Sequence, residues 1–401
     1  MSDKLKRNMD SAILAVTDCD MAFCKFLSAN DTGETGSHQS GILIPKNVVP
    51  MFFDEPGEKG SNKEVWFDIN WPGNLKTHSR AVYYGQKTRN EYRITQFGRG
   101  FPYLKPAYTG SLLIIAKKDN CYQGFILSSE DEINDFLEAV GLSAVQTNQL
   151  ISKSEIPLEA KEKSAILAFI DNLDVDFPDA VCMATNARHI SESVLGLNAT
   201  KVISNPDRAI LIWTDTEFKM FRTLENVRYM NRINQGFDNV DEFFQFAKSA
   251  QNRRFSRAGK SLEHHLKAIF DDEGLQCEEQ VVTEGNKKPD FIFPSGAAYH
   301  DQNFPVEKLT FLAVKTTCKD RWRQILNECS RLKDEPKYLF TLQQGISMNQ
   351  LKEMEEENVI LVVPKEYITS YPKPFQDKIW TLEKFIEHVR GKEELIVNHT
   401  S

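Results

Sequence analysis

The chain has 401 residues, of which 41% are hydrophobic and 26% charged, a composition typical of a globular protein with enough apolar residues for two cores. It holds no apolar run near the ~20 residues that a membrane-spanning helix needs, and its first residues lack the apolar core and cleavage site of a signal peptide. Seven scattered cysteines form no Cys-x-x-Cys pair, which argues against structural zinc and disulfides and is typical of a reducing cytoplasm. We therefore expect a mature cytoplasmic protein with no membrane partner.

Strongly basic segments lie within this acidic chain. The formal net charge is −8 at pH 7, which argues against a protein that binds nucleic acid indiscriminately. Residues 79–118 nevertheless hold eight Lys or Arg and one acid, residues 251–269 hold five and one, and residues 313–323 hold four and one. Any one of these islands is expected to be a solvated face, but three together predict surfaces that meet a polyanion.

The N-terminal part, from about residue 23 to 126, is predicted to be mostly β. Its short apolar stretches alternate with turn-forming sequences such as Trp71-Pro72-Gly73-Asn74, a spacing typical of a barrel or sandwich. A helix is predicted over 129–139 from a Ser in its N-cap region, an acidic first turn and an apolar face. A polar stretch follows, and we place a linker at 151–172, between a domain of residues 1–150 and a domain of residues 173–401.

Strand and helix patterns alternate in the C-terminal part, which predicts an α/β domain with a mixed sheet. The expected strands are 290–293, 309–314, 338–342 and 359–363, and the expected helices are 240–250, 261–270, 322–329 and 348–356.

Two of these strands carry residues suited to phosphodiester hydrolysis. That reaction needs carboxylates that hold a metal ion and a cation that assists the attacking water or the developing charge. Asp290 follows Pro289 at the start of one strand, and Lys315 ends the next. This is the core of the PD…(D/E)xK nuclease arrangement, although a Pro-Asp with a downstream Lys is by itself a weak signal.

The second acid of that arrangement must come from an unusual place. It normally stands two residues before the lysine, where this chain has Ala313. Glu328 lies in a predicted helix over 320–329, which can return a carboxylate to the strand end because a helix rises only ~1.5 Å per residue. Glu307 is the competing candidate, but it precedes the strand and is expected at the wrong end.

Longer stretches around these residues resemble the EcoRII-type restriction endonucleases, in which the second acid lies on a helix. The matching stretches are KTTCKDRWRQILNE from Lys315, TEGNKKPDF from Thr283 and NRRFSRAGKSLE from Asn252. The resemblance implies that Asp290 and Glu328 bind the metal, Mg²⁺, and that Lys315 is the catalytic lysine. It also implies that Glu263 is a supporting acid.

The same resemblance implies base reading by Lys319, Asp320 and Arg321, with Arg323 as a further DNA contact. Cations can donate to guanine O6 and N7, and an acid can accept from cytosine N4, so this group suits adjacent G·C pairs. The alternative is a charged helix start with Asp320 near the helix dipole. The length of the contiguous match favours DNA contact.

The N-terminal half resembles the effector domain of this family, a DNA-binding pseudobarrel of the plant B3 type. The matching stretches are LSANDTGETGSHQ from Leu27 and KTRNEYRITQFGRG from Lys87. Four charged residues alternate in the second stretch, so on a strand they would share one face. An acid among three cations suits base reading better than phosphate contact. The predicted contacts are Lys87, Arg89, Glu91 and Arg93, flanked by Lys25 and His38, while Tyr92 departs from the basic residue expected in the family.

Together these features predict a multidomain protein, with an N-terminal all-β B3-like pseudobarrel and a C-terminal α/β nuclease domain of the PD-(D/E)XK type with a mixed central sheet. The resemblance implies a prokaryotic type II restriction endonuclease of the IIE kind, which cuts both strands of double-stranded DNA at a C/G-bounded site such as CC(A/T)GG. It would dimerise through its C-terminal domain, as suits a palindromic site. Its N-terminal domain would bind an effector copy of the site, and a cognate cytosine methyltransferase would protect host DNA.

Other interpretations remain open at this stage. A DNA-binding protein that does not cut would keep the nuclease domain only for dimerisation, but Asp290, Lys315 and Glu328 are all present. A repair or junction nuclease would have no use for the base-reading acid Glu91. The resemblance is weak over 140–240, for which only a dimerisation or scaffold role is expected.

Overall fold

The computed structural model describes residues 3–35, 41–151, 160–319 and 322–400. The chain divides into two units. The first contains residues 1–157, 343–352 and 369–376, and the second contains residues 158–342, 353–368 and 377–401. No helix in the described ranges is both long enough and apolar enough to cross a bilayer.

The first unit is built on one eight-stranded sheet. Its strands are β1 Met21–Phe26, β2 Ile42–Ile44, β3 Lys63–Trp71, β4 Leu75–Tyr84, β5 Glu91–Thr95, β6 Leu112–Lys118, β7 Cys121–Leu127 and β8 Gln149–Ile151. Their order in the sheet is β2-β5-β4-β3-β7-β6-β1-β8. All neighbours pair antiparallel except β3 and β7, which are parallel. The predicted β-rich region is therefore present.

Two helices cover one face of this sheet, so the prediction of an all-β domain is wrong in that respect. They are α1 Asp3–Asp18 and α2 Glu130–Val140. Alternate residues of a strand face opposite sides: Phe23 joins the core on one face, and Cys24 joins the core formed with Ile133 of α2. The continuous apolar run of β6 is buried on both faces, and a strand buried on both faces needs a covering layer.

Helix α2 begins and ends at sequence signals. The Ser129 side chain accepts from the Glu132 amide while the Glu132 carboxylate reaches back to the Ser129 amide, a capping box. Gly141 ends the helix with φ 70° in the left-handed region that glycine favours. The predicted helix over 129–139 is confirmed within one residue at each end.

A helical layer occupies the start of the second unit. Its helices are α3 Ala160–Asp171, α4 Ala180–Leu195, α5 Ala199–Ser204, α6 Pro206–Gln235 and α7 Val240–Asp272. The predicted linker is therefore corrected over α3, where Ile166 and Ile170 pack with Phe221 of α6 in an apolar core. The helices expected at 240–250 and 261–270 are one helix, because only Gly259 interrupts the helix-compatible residues between them.

The rest of the second unit is organised around a five-stranded mixed sheet, as predicted. Its strands are β9 Glu278–Glu279, β10 Phe291–Phe293, β11 Thr310–Lys315, β12 Lys337–Thr341 and β13 Val359–Val362. The α-helices that follow α7 in the chain are α8 Gly296–His300, α9 Met348–Glu356, α10 Lys373–Gln376 and α11 Leu382–Thr400. The order is β13-β12-β11-β10-β9, with β11, β12 and β13 parallel and β10 antiparallel to both its neighbours. Phe293 packs against Phe270 of α7 and Phe385 of α11, with ring centroids 5.2 and 5.7 Å apart.

A histidine links α11 to the sheet. The Tyr338 hydroxyl and His388 Nε2 lie 3.0 Å apart. Burial, with a smaller contribution from Lys392, lowers the pKa of His388 from its ordinary value of 6.5 to about 4. His388 is therefore neutral in the folded protein at neutral pH, where its ring packs beside Trp380.

The unfolded chain binds the His388 proton more tightly than the folded protein does, so acid should destabilise the fold. The free energy of unfolding should fall as the pH drops from about 7 to about 4. His388→Gln keeps a hydrogen-bonding side chain without a titrating group and should show a shallower fall in urea unfolding at several pH values. His189→Gln, at an exposed position of α4, is the control. The same pH dependence in both variants would exclude His388 as the protonated group.

Candidate active site

Asp290 lies at the start of β10, beside β11. Its Oδ2 accepts from the Val314 backbone amide of β11 at 2.7 Å, and its Oδ1 accepts from Gln280 Nε2 at 3.1 Å. Burial raises the pKa of Asp290, and the positive charge of Lys315 together with these hydrogen bonds opposes that rise. The carboxylate is thus fixed by a neighbouring strand and by a side chain from the turn after β9.

Lys315 ends β11 on the same edge of the sheet. It is half-buried and pairs in register with Thr341 of β12. Its positive charge opposes the raised pKa values of Asp290, Glu263 and Glu328. Asp290, Lys315, Glu328 and Glu263 therefore form one electrostatic cluster, the acid cluster, as the resemblance implied.

Glu328 reaches the cluster by a different element from the predicted one. The expected helix over 320–329 is a short 3-10 helix, Trp322–Asn327, and Glu328 follows its last residue. Trp322 is fully buried and anchors this turn. Burial, then the charge of Asp290, raises the pKa of Glu328 to about 7. Glu328 thus lies within electrostatic reach of Asp290, but a compact turn carries it rather than a helix along the sheet.

Three side chains from the turn before β10 hold the backbone around Glu328. The Thr283 hydroxyl donates to the Glu328 carbonyl oxygen at 2.5 Å, and Lys287 Nζ donates to the Asn327 carbonyl oxygen at 2.7 Å. Glu284 Oε2 accepts from the Ser330 amide at 3.3 Å. We call Thr283, Glu284 and Lys287 the Glu328 clamp. No sequence pattern predicts this clamp, because a hydrogen bond to a backbone carbonyl does not depend on which residue carries that carbonyl.

Glu263 is presented by α7. Burial, then the charge of Asp290, raises the pKa of Glu263 to about 7, and a hydrogen bond from Gln280 at 3.2 Å opposes the rise. Two flanking residues of α7 fix this part of the helix: Ser261 Oγ lies 2.6 Å and His265 Nε2 lies 2.9 Å from the same oxygen of Glu217 on α6. The competing acid, Glu307, lies in the turn before β11, at the opposite end of that strand from Lys315.

The acids fit a divalent cation. Mg²⁺ takes oxygen ligands, needs only one or two carboxylates and keeps several waters. Glu328 Oε2 is buried and has no hydrogen-bond partner among the described residues, which is costly unless a cation or water satisfies it. Within the same residues no group of three or more His, Cys, Asp or Glu has the arrangement of a metal site. Asp290 and Glu328 are the pair that could hold the ion.

The predicted base-reading residues lie directly after β11. Asp320 and Arg321 are outside the described residues. Lys319 is buried, at 6% exposure. Arg323 is exposed, stacks over the Trp322 ring at 4.8 Å and forms an ion pair with Glu353.

Four charged residues of the first unit are predicted to share one strand face. They lie instead in two different elements, a turn and a strand. Lys87 and Arg89 lie in the turn before β5, where Lys87 has a positive φ of 54°, and Glu91 and Arg93 lie on β5. The prediction of four alternating residues on a strand is therefore wrong for the first two. Arg93 is buried and donates to Glu91 Oε1 and to the Gly41 carbonyl oxygen, both at 3.2 Å. The turn leaves Lys87 and Arg89 exposed.

The two flanking residues differ in what the structure shows. His38 lies outside the described residues. Lys25 is buried at 6% exposure, and its ammonium lies 2.8 Å from Asp31 Oδ2 and 3.1 Å from the Leu43 carbonyl oxygen. In this structure Lys25 therefore links β1 to the following loop and to β2, and its role in DNA contact stays a prediction.

A basic cavity of about 480 Å³ lies beside β5 in the first unit. Four arginines line it: Arg80, Arg89, Arg93 and Arg99. Prediction from individual motifs missed Arg80 and Arg99, although both belong to the basic island of residues 79–118. Arg80 donates to Glu64 Oε2 at 2.9 Å, so an acid faces this surface too.

Comparisons with known proteins cover both units. The family model described as "Restriction endonuclease EcoRII, N-terminal" matches residues 16–141, and the one described as "EcoRII C terminal" matches residues 221–386. The chain is 36% identical over 396 residues to "Type II restriction enzyme EcoRII" of Escherichia coli, an alignment that covers 92% of this chain and 94% of that protein. The chain belongs to the EcoRII family of type II restriction enzymes. The predicted resemblance is confirmed, and the protein is an EcoRII-like restriction endonuclease, a DNA-hydrolysing enzyme.

More distant likenesses cover parts of the chain. "Type II restriction enzyme SsoII" of Shigella sonnei is 25% identical over 131 residues, which are 31% of this chain and 42% of that protein. The structure "Metal-depleted Ecl18kI in complex with uncleaved, modified DNA" has a TM-score of 0.46 at 19% identity, covering 58% of this chain and 84% of the other. "Restriction endonuclease PspGI-substrate DNA complex" has a TM-score of 0.43 at 17% identity, covering 54% and 93%. These TM-scores indicate only a partial likeness in fold.

The Glu328 clamp makes a prediction for an almost isosteric change. Thr283→Val removes the hydroxyl that holds the Glu328 carbonyl, so the carboxylate should lose its fixed position and DNA cleavage should slow about 10- to 100-fold, as for groups that orient metal ligands. Thr283→Ser keeps the hydroxyl and should cleave nearly as fast as the unchanged protein. Cleavage rates on a plasmid compare the two. Equal rates for Val and Ser would show that the hydroxyl does not position Glu328.

Proposed function

We propose that this restriction endonuclease cuts both strands of DNA with Mg²⁺ held by Asp290 and Glu328, at a C/G-bounded site such as CC(A/T)GG. The acid cluster carries the proposal. Its members come from α7, β10, β11 and the turn after the 3-10 helix, four separate parts of the chain, and the pKa value of each of its three acids responds to the charges of other members. A PD-(D/E)XK centre with its second acid displaced to Glu328 accounts for this arrangement.

Each group of the cluster has a role that follows from its chemistry. Bound Mg²⁺ supplies Lewis-acid stabilisation of negative charge at the phosphate. Lys315 places a cation beside the acids, where it can orient the attacking water and offset developing charge. Asp290 is held by Val314 and Gln280, so little reorganisation is needed when DNA arrives. Glu263 adds a supporting acid whose raised pKa shows how strongly the site disfavours unpaired negative charge.

The residues that follow Lys315 are proposed to recognise the bases of the DNA site. Lys319, Asp320 and Arg321 would contact G·C base pairs, with Arg323 as an additional contact. Their place in the chain favours this role, since they follow the catalytic strand directly. A cognate cytosine methyltransferase would protect the same site in the host.

The protein is proposed to act as a homodimer through its second unit, because two-fold symmetry suits cutting of both strands. Apolar side chains on α6 and α7 support this proposal. They are exposed by 38–67% of their surface, and they are Val227, Met230, Ile233, Val240, Phe243 and Phe244. A contiguous patch of exposed apolar groups marks an association surface, and four of these residues, Val227, Met230, Ile233 and Val240, lie within residues 140–240, for which a dimerisation role is expected.

The first unit is proposed to be a B3-like domain that binds an effector copy of the site. The exposed Lys87 and Arg89 in the turn before β5 support this role as donors, and the half-buried Glu91 at the start of β5 is an acceptor paired with Arg93. Arg89 also lines the basic cavity, and Lys25 and His38 remain proposed flanking contacts.

Removal of the Lys315 ammonium group tests the catalytic role proposed for this lysine. Lys315→Ala should abolish plasmid cleavage and leave site-specific DNA binding intact, because the lysine acts on the transition state. Gel-shift binding and cleavage are measured on the same preparation. Lys333→Ala, at an exposed position outside the cluster, should cleave normally. Retained cleavage by Lys315→Ala would refute the assignment.

Arg89 tests the effector role. If it pairs with a guanine, Arg89→Ala should weaken specific binding by ~1–3 kcal/mol and random binding much less. An effector site speeds cleavage if the first unit is a regulator. The full-length Arg89→Ala protein should then no longer cleave plasmids with several sites faster than plasmids with one site. Lys105→Ala removes another exposed cation from the same basic island and is the control. An equal loss for specific and random DNA would make Arg89 a phosphate contact.

A further inference from the structure

Gln280 touches two of the acids at once. It follows β9, and its Nε2 lies 3.1 Å from Asp290 Oδ1 and 3.2 Å from Glu263 Oε2. Carboxylates are acceptors when ionised, and an amide nitrogen carries two hydrogens, so one –NH2 group can donate to both acids. No motif contains Gln280, and no other described side chain is found bridging these two acids by hydrogen bonds.

The backbone also directs Gln280 toward the acids. Its φ of 54° lies in the left-handed region, which costs free energy for a residue other than glycine. Its own amide donates to the Asp290 carbonyl oxygen at 3.3 Å, so main chain and side chain both bind the same residue. A strained conformation persists where the surroundings hold it in place, and here the surroundings are the two acids.

Gln280 holds Asp290 from the β9 side of β10, and the Val314 amide holds it from the β11 side. The Val314 amide binds Oδ2 and Gln280 binds Oδ1, so each carboxylate oxygen has one donor from the protein. An ionised carboxylate oxygen has a second lone pair, which remains for a cation. Loss of a group that orients a metal ligand in this way typically costs about 10- to 100-fold in metal affinity or activity.

We propose that Gln280 is a positioning residue that holds Asp290 and Glu263 in the arrangement that receives the divalent cation. This inference rests on the proposed Mg²⁺-dependent function. Gln280 does not touch DNA or the cation in this account. It acts through the two acids, so its loss should weaken cation binding more than it lowers the rate at saturating Mg²⁺.

Gln280→Gly is the appropriate variant, because glycine accepts the positive φ and removes the amide without backbone strain. Asn286→Gly is the matched control: Asn286 lies in the same connection between β9 and β10, has a φ of 58° and an exposed side chain. Thermal unfolding of both variants shows whether the fold is kept. Calorimetric titration with Mn²⁺ alone, without DNA, then measures cation binding, and cleavage is followed over a Mg²⁺ series.

Gln280→Gly should bind Mn²⁺ about 10- to 100-fold more weakly than the unchanged protein and should need a similarly higher Mg²⁺ concentration for half-maximal cleavage. Its rate at saturating Mg²⁺ should stay close to that of Asn286→Gly. Equal Mn²⁺ affinity in the two variants would overturn the inference, as would a lower maximal rate with unchanged affinity. Failure of the unchanged protein to bind Mn²⁺ and cut DNA would instead overturn the proposed function, and this inference with it.

Discussion

The hydrogen bond from the Val314 amide to Asp290 is the constraint on which the site depends. It joins the start of β10 to the end of β11, two antiparallel strands whose register places Phe291 opposite Leu312. Because Lys315 is the next residue after Val314, the same pairing brings the lysine to the acid. The edge of a mixed sheet thus provides a fixed carboxylate with a lysine charge beside it.

Gathering further acids around this pair is electrostatically costly. Burial raises the pKa of Asp290, Glu263 and Glu328, and the charge of Asp290 adds to the rise for the other two. Lys315 compensates for only part of this repulsion. The protein also holds the acids with Gln280, a neutral donor, and with the Glu328 clamp, in which the charge of Lys287 opposes the raised pKa of Glu328. A site with excess buried negative charge is one that a divalent cation would stabilise.

Helix α7 shows how a distant core supports the same site. Glu217 is fully buried on α6, and buried charge is tolerated only when it is paired. Ser261 of α7 donates to it, His265 Nε2 of the same helix lies 2.9 Å from the same oxygen, and Glu263 lies between the two in sequence. Burial lowers the pKa of His265, although the Glu217 carboxylate opposes the shift. The contact between Glu217 and Ser261 therefore fixes the part of α7 that presents Glu263.

Sequence patterns predicted those parts of the site that coincide with strand ends. Asp290 and Lys315 were found because a strand leaves an apolar pattern with a polar residue at its end. Glu328 was assigned through resemblance, yet its element was wrong, since a 3-10 turn and a short helix have similar sequences. Gln280 was missed because a positive φ in a non-glycine residue is set by tertiary contacts. The same cause placed Lys87 in a turn, and periodicity alone also missed α1 and α3.

The most direct test is digestion of a plasmid that carries several CC(A/T)GG sequences, followed by sequencing of the fragment ends. Full-length protein with Mg²⁺ should produce ends at one fixed position in both strands at each site. Asp290→Asn should produce none, because it removes the charge that the cluster is built around. Ends scattered along the plasmid would contradict the proposed site, and cutting by Asp290→Asn at the normal rate would contradict the acid cluster as the catalytic centre.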